Sequence, residues 1–125
     1  MEPLELFFPI KPMGLNGKDG LIRAHWAQRK GEVKTLALMF QERVAEFGPW
    51  LEEPFPRQLG FRVHTSRLMD WDNVGASFKN VGDALVMAGI LDDDTPTHLL
   101  APLLDQCKVK RVDVGFTLTL YPSPN

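Results

Sequence analysis

The spacing of apolar residues divides the chain into helical and extended segments, which narrows the folds that it can adopt. Two stretches repeat apolar residues at three- and four-residue steps, the period of a helix that buries one face: His25–Phe47 and Asn73–Ala88. Gly48 and Pro49 should end the first helix and Gly89 the second, because these residues commonly terminate helices. The apolar stripe predicted for the second helix consists of Val74, Phe78, Val81 and Leu85.

Three other segments have the pattern of β-strands. Leu4–Ile10 is a short apolar run, whereas Leu59–His64 and Val112–Leu120 alternate apolar and polar residues. We expect Leu99–Val109 to form a hairpin with the last of these strands, turning at Lys110. The order strand, helix, strand, helix, hairpin predicts an α+β domain in which two main helices pack against one face of a small mixed β-sheet.

Length and composition are those of one small domain. With 125 residues, 44% of them hydrophobic, the chain can bury one core but not two, so we predict a single domain over residues 1–125. No apolar stretch approaches the roughly 20 residues that span a bilayer, so we expect a soluble, cytoplasmic protein. Cys107 is the only cysteine, which excludes an intrachain disulfide and favours a small buried side chain over a catalytic thiol.

The formal net charge of −2 lacks the excess of basic residues that is typical of proteins that bind nucleic acids. Positive charge is nevertheless concentrated around the start of the first predicted helix, where Trp26 is interleaved with basic residues. These residues are Arg23, Arg29, Lys30 and Lys34. A solvated basic face and a surface that contacts the DNA backbone are both compatible with this pattern.

Tryptophan and histidine residues are scattered along the chain. Trp26, Trp50 and Trp71 are interpreted as packing groups, the more frequent role of tryptophan, rather than as platforms for base stacking. Trp71 is expected to point into the core. Surface positions or hydrogen-bonded core positions are expected for the three histidines, His25, His64 and His98.

Acidic residues lie at both ends of the second predicted helix. Asp70 and Asp72 precede it, and Asp92, Asp93 and Asp94 follow it. If the chain is extended at Asp70 and Asp72, their carboxylates point the same way and offer the oxygen ligands that Mg²⁺ prefers. Asp72 can instead cap the helix, and an acidic run can be a solvated turn. Acidic residues after a helix C-terminus oppose the helix dipole, however, which favours a role with a cation.

Lys79 lies seven residues after Asp72, close to two helical turns, so both residues share a face that differs from the apolar stripe. A lysine beside metal-bound carboxylates can orient a water or offset charge on a transferring phosphate. The alternative is an exposed ion pair with Asp83, which spacing alone favours. Gly75 and Ala76 are small and would leave room on this face for a substrate backbone.

Together these features resemble the RusA-like Holliday junction resolvases, crossover-junction endodeoxyribonucleases of bacteria and their prophages. The resemblance rests on a D-x-D-N motif, a lysine on the next helix, Asp-Ala-Leu, a glycine and a paired aspartate. The matching residues are Asp70-Trp71-Asp72-Asn73, Lys79, Asp83-Ala84-Leu85, Gly89 and Asp93-Asp94-Thr95. A weaker similarity extends to Phe8–Pro12 and to the end of the chain. Lys79 lies about one turn further from Asp72 than in the best-known member, a spacing that keeps it on the same face.

The resemblance implies a RusA-like fold, a homodimer and Mg²⁺-dependent hydrolysis of DNA phosphodiesters at four-way junctions, with Mn²⁺ as a possible substitute. It implies that Asp70, Asp72 and Asp94 bind the metal, with Asp93 as the alternative to Asp94, and that Lys79 assists at the scissile phosphate. We expect the basic residues to form one positive surface for contact with DNA; they are Arg23, Arg29, Lys30, Lys34, Arg62 and Arg67. A nuclease for other branched DNA and a catalytically silent DNA-binding or assembly protein stay open as alternatives.

Overall fold

The computed structural model describes residues 1–14, 26–92 and 96–124, and it confirms the predicted α+β class. The strands of this part of the chain are β1 (Leu4–Phe8), β2 (Gln58–Thr65), β3 (Leu103–Lys108) and β4 (Gly115–Tyr121). Its helices are α1 (Trp26–Glu42), α2 (Gly48–Leu51) and α3 (Trp71–Met87). Two short 3-10 turns cover Val44–Phe47 and Arg111–Asp113.

The four strands form one mixed sheet in the order β1-β4-β2-β3. β1 and β2 both pair antiparallel with β4, and β3 pairs parallel with β2. β1, β2 and β3 therefore run in the same direction, and their carboxyl ends meet at one edge of the sheet. We call this the carboxyl edge, which comprises the described residues that follow the three strands, 9–14, 66–70 and 109–114, together with the first turns of α1 and α3. The opposite side, where the three strands begin, is the amino edge.

The predicted hairpin at the end of the chain is wrong. β3 does not pair with β4 but lies parallel to β2, with Thr65 opposite Lys108, while β4 occupies the position between β1 and β2. β4 suits this central position because it is buried along most of its length, whereas β3 is largely exposed and suits an edge. Val112, expected in the last strand, lies in a 3-10 turn and is 89% exposed.

α1 and α3 pack side by side on one face of the sheet. The predicted stripe of α3 is confirmed, since Val74, Phe78, Val81 and Leu85 are all buried. Aromatic rings connect the sheet to both helices: Phe8 meets Phe40 of α1 at a centroid distance of 5.1 Å, and Phe61 meets Phe78 of α3 at 5.2 Å. α3 begins at the carboxyl edge, shortly after β2 ends, and a hydrogen bond from the N–H of Met13 to Glu32 holds the second turn of α1 near the segment that follows β1.

The first predicted helix is shorter than expected and is continued by other turns. α1 ends at Glu42, and Gly48-Pro49 begins the short helix α2 instead of stopping a helix. Proline fits the first turn of a helix because its missing N–H has no intrahelical partner there. This turn buries Trp50 completely, and its indole Nε1 donates a hydrogen bond to the carbonyl of Gln58 at 3.1 Å. No helix in the described ranges is long and apolar enough to cross a membrane.

Candidate functional site

Asp70 and Asp72 lie at the N-terminus of α3, on the carboxyl edge. Asp70 is the last residue before the helix, with φ −63° and ψ 151°, and its carbonyl accepts the backbone N–H groups of Asn73 and Val74. Asp72 belongs to the first helical turn, so the expectation that both aspartates share an extended segment holds only for Asp70. Both side chains are exposed, and the side chain of Asp70 makes no capping hydrogen bond. The helix dipole favours negative charge at this end.

Gln106 of β3 holds the backbone immediately before Asp70. Its Oε1 accepts a hydrogen bond from the N–H of Met69 at 2.9 Å, and its Nε2 donates one to the carbonyl of the same residue at 2.7 Å. This pair of bonds fixes the position from which α3 begins. Sequence reasoning missed Gln106 because it lies 37 positions from Met69 and no local pattern connects them.

Thr65, buried at the end of β2, joins the three segments of the carboxyl edge. Its hydroxyl accepts hydrogen bonds from Lys11 Nζ (3.2 Å) and Arg67 N (3.3 Å) and donates one to the carbonyl of Arg67 (2.8 Å). Its own carbonyl accepts the N–H of Val109 at 2.9 Å. These bonds place the ammonium group of Lys11 at the end of β2 and fix the backbone of Arg67, whose side chain is exposed. Further exposed basic residues of this edge are Lys108, Lys110 and Arg111.

Glu32 ties the segment after β1 to both long helices. From the second turn of α1 its carboxylate accepts hydrogen bonds from the N–H of Met13 (2.9 Å) and from Nδ2 of the buried Asn80 in α3 (3.0 Å). The same segment passes so close to α3 that a Cβ atom at Gly14 would lie 3.3 Å from Oδ1 of Asn73. The beginnings of α1 and α3 therefore lie close to each other.

Lys79 lies on the exposed face of α3, as its spacing predicts. Asp72, Lys79 and Asp83 are exposed, with the half-buried Gly75 and Ala76 between the first two. Lys79 does not pair with Asp83, since the ion pairs within the described residues are Arg43–Glu46 and Arg62–Asp105.

The acidic residues at the two ends of α3 are far apart. With 17 residues, α3 is about 25 Å long. Asp92 follows its far end, at the amino edge, where its negative charge acts on Arg57 and partly offsets the lowering of the pKa of Arg57 by burial. The fold thus does not bring Asp92 together with Asp70 in one chain. Asp93 and Asp94, the candidates for the third ligand, lie outside the described residues.

The basic residues predicted to contact DNA differ in their location and exposure. Lys30 and Lys34 are exposed on α1, and Arg67 is exposed on the carboxyl edge. Arg29 is half-buried, and its Nε atom is buried without a hydrogen-bond partner. Arg23 lies outside the described residues.

Arg62 does not belong to this surface. It alternates with the buried Phe61 and Val63, so its side chain lies on the sheet face turned away from the helices. There its Nε pairs with Asp105 Oδ2 at 2.9 Å. The expectation that Arg62 contributes to one basic surface with the residues of α1 is therefore wrong.

Trp71 is 62% exposed, so the prediction that it points into the core is wrong. It is the first residue of α3, and the buried stripe of this helix begins one turn later, at Val74. Trp26, the first residue of α1, is likewise 66% exposed, and Lys30 Nζ lies 5.6 Å from the centroid of its ring. Only Trp50 of the three tryptophans is a packing group in the core.

His64 and Cys107 lie side by side on the sheet face turned away from the helices. Nδ1 of His64 is 3.4 Å from Sγ of Cys107, and its Nε2 is 2.7 Å from Oγ1 of Thr117. Burial lowers the pKa of His64, and the nearby charge of Arg62 lowers it further. Cys107 is half-buried and contacts a histidine, whereas the sequence predicts a small buried apolar residue.

No protein-family model matches this chain, and no curated protein matches it either. The RusA-like resemblance therefore rests on the residues quoted above.

Proposed function

We propose that this protein is a Mg²⁺-dependent endonuclease that cleaves branched DNA, with four-way junctions as the substrate that the RusA-like resemblance implies. The observation that carries the proposal is the exposed group of Asp70, Asp72 and Lys79 on the N-terminal half of α3. On the same carboxyl edge, Thr65 links the ammonium group of Lys11 to the backbone of Arg67, whose side chain is exposed. Carboxylates beside exposed cations suit a site where a metal and a phosphate meet.

The two carboxylates at the N-terminus of α3 are suitable ligands for a hard divalent cation. Mg²⁺ is commonly bound by one or two carboxylates while it keeps several waters, and Asp70 and Asp72 supply two. Within the described residues no cluster of three His, Cys, Asp or Glu side chains is formed. The resemblance implies Asp94, or Asp93, as the third ligand, but Asp92 lies at the opposite end of α3, so within one chain the proposed site rests on Asp70 and Asp72 alone. A bound metal of this kind lowers the pKa of an attacking water and stabilises the leaving oxygen.

The remaining groups of the site act on the phosphate. Lys79, two turns along the same face from Asp72, offsets negative charge that develops at the scissile phosphate. The space expected for a DNA backbone is not open at Gly75, because a Cβ atom there would lie 3.6 Å from Cδ1 of Leu104. Lys11 and Arg67 bind phosphates on either side of the cleaved bond, as charge-assisted contacts do in other complexes with nucleic acids.

We also propose that the protein acts as a homodimer. A four-way junction has approximate two-fold symmetry, so a dimer with one site in each subunit can cut two strands at symmetric positions. The protein would then act in DNA recombination or repair in a bacterial or prophage context. The alternatives are a nuclease for flaps or other branches and a silent protein that binds branched DNA without cutting it.

A cleavage assay separates these functions. Four-way junctions, flaps and plain duplexes are incubated with the protein and Mg²⁺ or Mn²⁺, and binding is measured in parallel with EDTA. We expect symmetric cuts in the four-way junction, and a loss of at least about 100-fold in rate for Asp70→Asn. Asp83→Asn is the matched control, because Asp83 is exposed on the same helix but is not a proposed ligand. Binding without cleavage under all metal conditions would support the silent protein instead.

A further inference from the structure

The sheet face turned away from the helices carries a thiol beside an imidazole. Cys107 of β3 and His64 of β2 are partners in the sheet, and Sγ of Cys107 lies 3.4 Å from Nδ1 of His64. On the other side of the ring, Nε2 of His64 is 2.7 Å from Oγ1 of Thr117 in β4. A nucleophile within hydrogen-bond distance of a base, with the base held by a third group, is the arrangement of an activated thiol. None of these three residues belongs to the proposed nuclease site.

The surroundings of His64 determine its protonation. Burial lowers the pKa of His64, the charge of Arg62 lowers it further, and the charge of Glu5 opposes these effects only in part. The imidazole is therefore neutral at pH 7, with a proton on one nitrogen and a lone pair on the other. A hydroxyl oxygen is a better acceptor than a thiol sulfur, so we assign the proton to Nε2, which donates to Thr117. The lone pair of Nδ1 then faces Cys107 and can accept the proton of its thiol.

Cys107 is half-buried and adjoins a cavity on the same sheet face. The next pair of outward-facing residues along the two strands is Arg62 and Asp105, whose side chains are 44% and 51% exposed. Both line a cavity of about 260 Å³, together with Leu103 and Tyr121. Because two residues along a strand span roughly 7 Å, the cavity begins one residue pair from the thiol. A small molecule in this cavity can therefore reach Cys107.

We infer that Cys107 is a reactive thiol that exchanges with small disulfides, with His64 as the base that takes its proton. Sγ attacks one sulfur of the disulfide and forms a bond to it, and the bond between the two sulfurs of the small molecule breaks with its electron pair on the leaving thiolate. The proton of the Cys107 thiol passes to Nδ1 of His64 and then to this thiolate. The products are a mixed disulfide at Cys107 and one small thiol, so the protein thiol is oxidised and the disulfide is reduced. The reaction does not depend on the proposed nuclease activity.

The test compares the folded protein with its own unfolded chain. Both are incubated at pH 7 with bis(2-hydroxyethyl) disulfide, an uncharged probe, and the mixed disulfide is followed by mass spectrometry of the intact protein. The chain unfolded in urea gives the reactivity of an ordinary thiol, and N-acetylcysteine in both solutions corrects for the effect of urea. We expect Cys107 to react at least about 10-fold faster in the folded protein, because an ordinary thiol is only a few per cent thiolate at pH 7 and His64 removes the proton.

Variants of the pair assign the effect. His64→Gln keeps a hydrogen-bonding side chain without a base, and it should remove the advantage of the folded over the unfolded state. Gln58→Ala is the matched control, because Gln58 lies on the same strand and the same face but six residues from His64, and it should react like the unaltered protein. Cys107→Ser should form no mixed disulfide. Thermal unfolding of each variant verifies that it folds.

A folded protein that reacts more slowly than its unfolded chain, or equally fast, would overturn the inference, because a thiol that only packs against His64 is protected by its surroundings. Unchanged reactivity of His64→Gln would overturn it as well, because His64 would then not act as the base. If His64→Gln does not fold, the comparison of the folded and unfolded states of the unaltered protein decides alone.

Discussion

The two ends of α3 carry the same residue type in different surroundings. At its N-terminus, Asp70 and Asp72 are exposed, and the backbone before them is fixed by Gln106. Beyond its C-terminus, the chain turns at Gly89, whose φ is +78°, and buries Ile90 and Leu91 before Asp92. Asp92 there acts on the partly buried cation Arg57. Asp92 is exposed as well, so the two ends differ in the groups beside the carboxylates and not in the exposure of the carboxylates.

We expect the largest effect on the cleavage rate when Lys79 is replaced, and little effect when a residue nearer the C-terminus of α3 is replaced. Lys79→Met should slow single-turnover cleavage by about 100-fold or more, because it removes charge stabilisation at the phosphate, while junction affinity changes only a few-fold. Asp83→Asn, one turn further along the helix, should cleave at nearly the normal rate. Cleavage and binding are measured on the same preparation. Normal cleavage by Lys79→Met would remove this lysine from the catalytic group.

A second prediction compares Gln106, which holds the backbone at the carboxyl edge, with Gln58 at the amino edge. Gln106→Ala leaves the N–H and carbonyl of Met69 without their partner, which should cost roughly 1–3 kcal/mol of unfolding free energy and slow cleavage by about 10-fold. Gln58→Ala at the amino edge loses one exposed hydrogen bond, from its Nε2 to the carbonyl of Ala101 at 3.2 Å. It should cost less than about 1 kcal/mol and leave cleavage unchanged. Equal cleavage rates of the two variants would show that Gln106 does not position Asp70.

The sequence predicts the elements better than their arrangement. The helical periodicity over Asn73–Ala88 locates α3 to within two residues at its start and one at its end, because one face of this helix is buried throughout. Strand alternation shows which residues face the core but not which strands are neighbours, so the position of β4 was not predictable from it. The parallel pairing of β3 with β2 brings Gln106 to Met69, a contact that local patterns do not encode.

The sequence predicts only part of the candidate site, again because local patterns do not encode contacts between distant segments. The exposed face of Asp72 and Lys79 follows from helical geometry and is confirmed. The exposure of Trp71 does not follow from composition, because it depends on α3 beginning at Trp71, about one turn before its buried stripe starts at Val74. The separation of Asp70 from Asp92 follows from the length of the helix between them, at 1.5 Å per residue.

The central claim is that the metal-binding end of α3 is its N-terminus. Titration of Mn²⁺ or Mg²⁺ by calorimetry into the intact protein, Asp70→Asn and Asp92→Asn tests it directly. We predict that Asp92→Asn binds the metal like the unaltered protein and that Asp70→Asn binds at least about 10-fold more weakly, because it loses a charged oxygen ligand. Equal metal binding by Asp70→Asn and the unaltered protein would contradict the account.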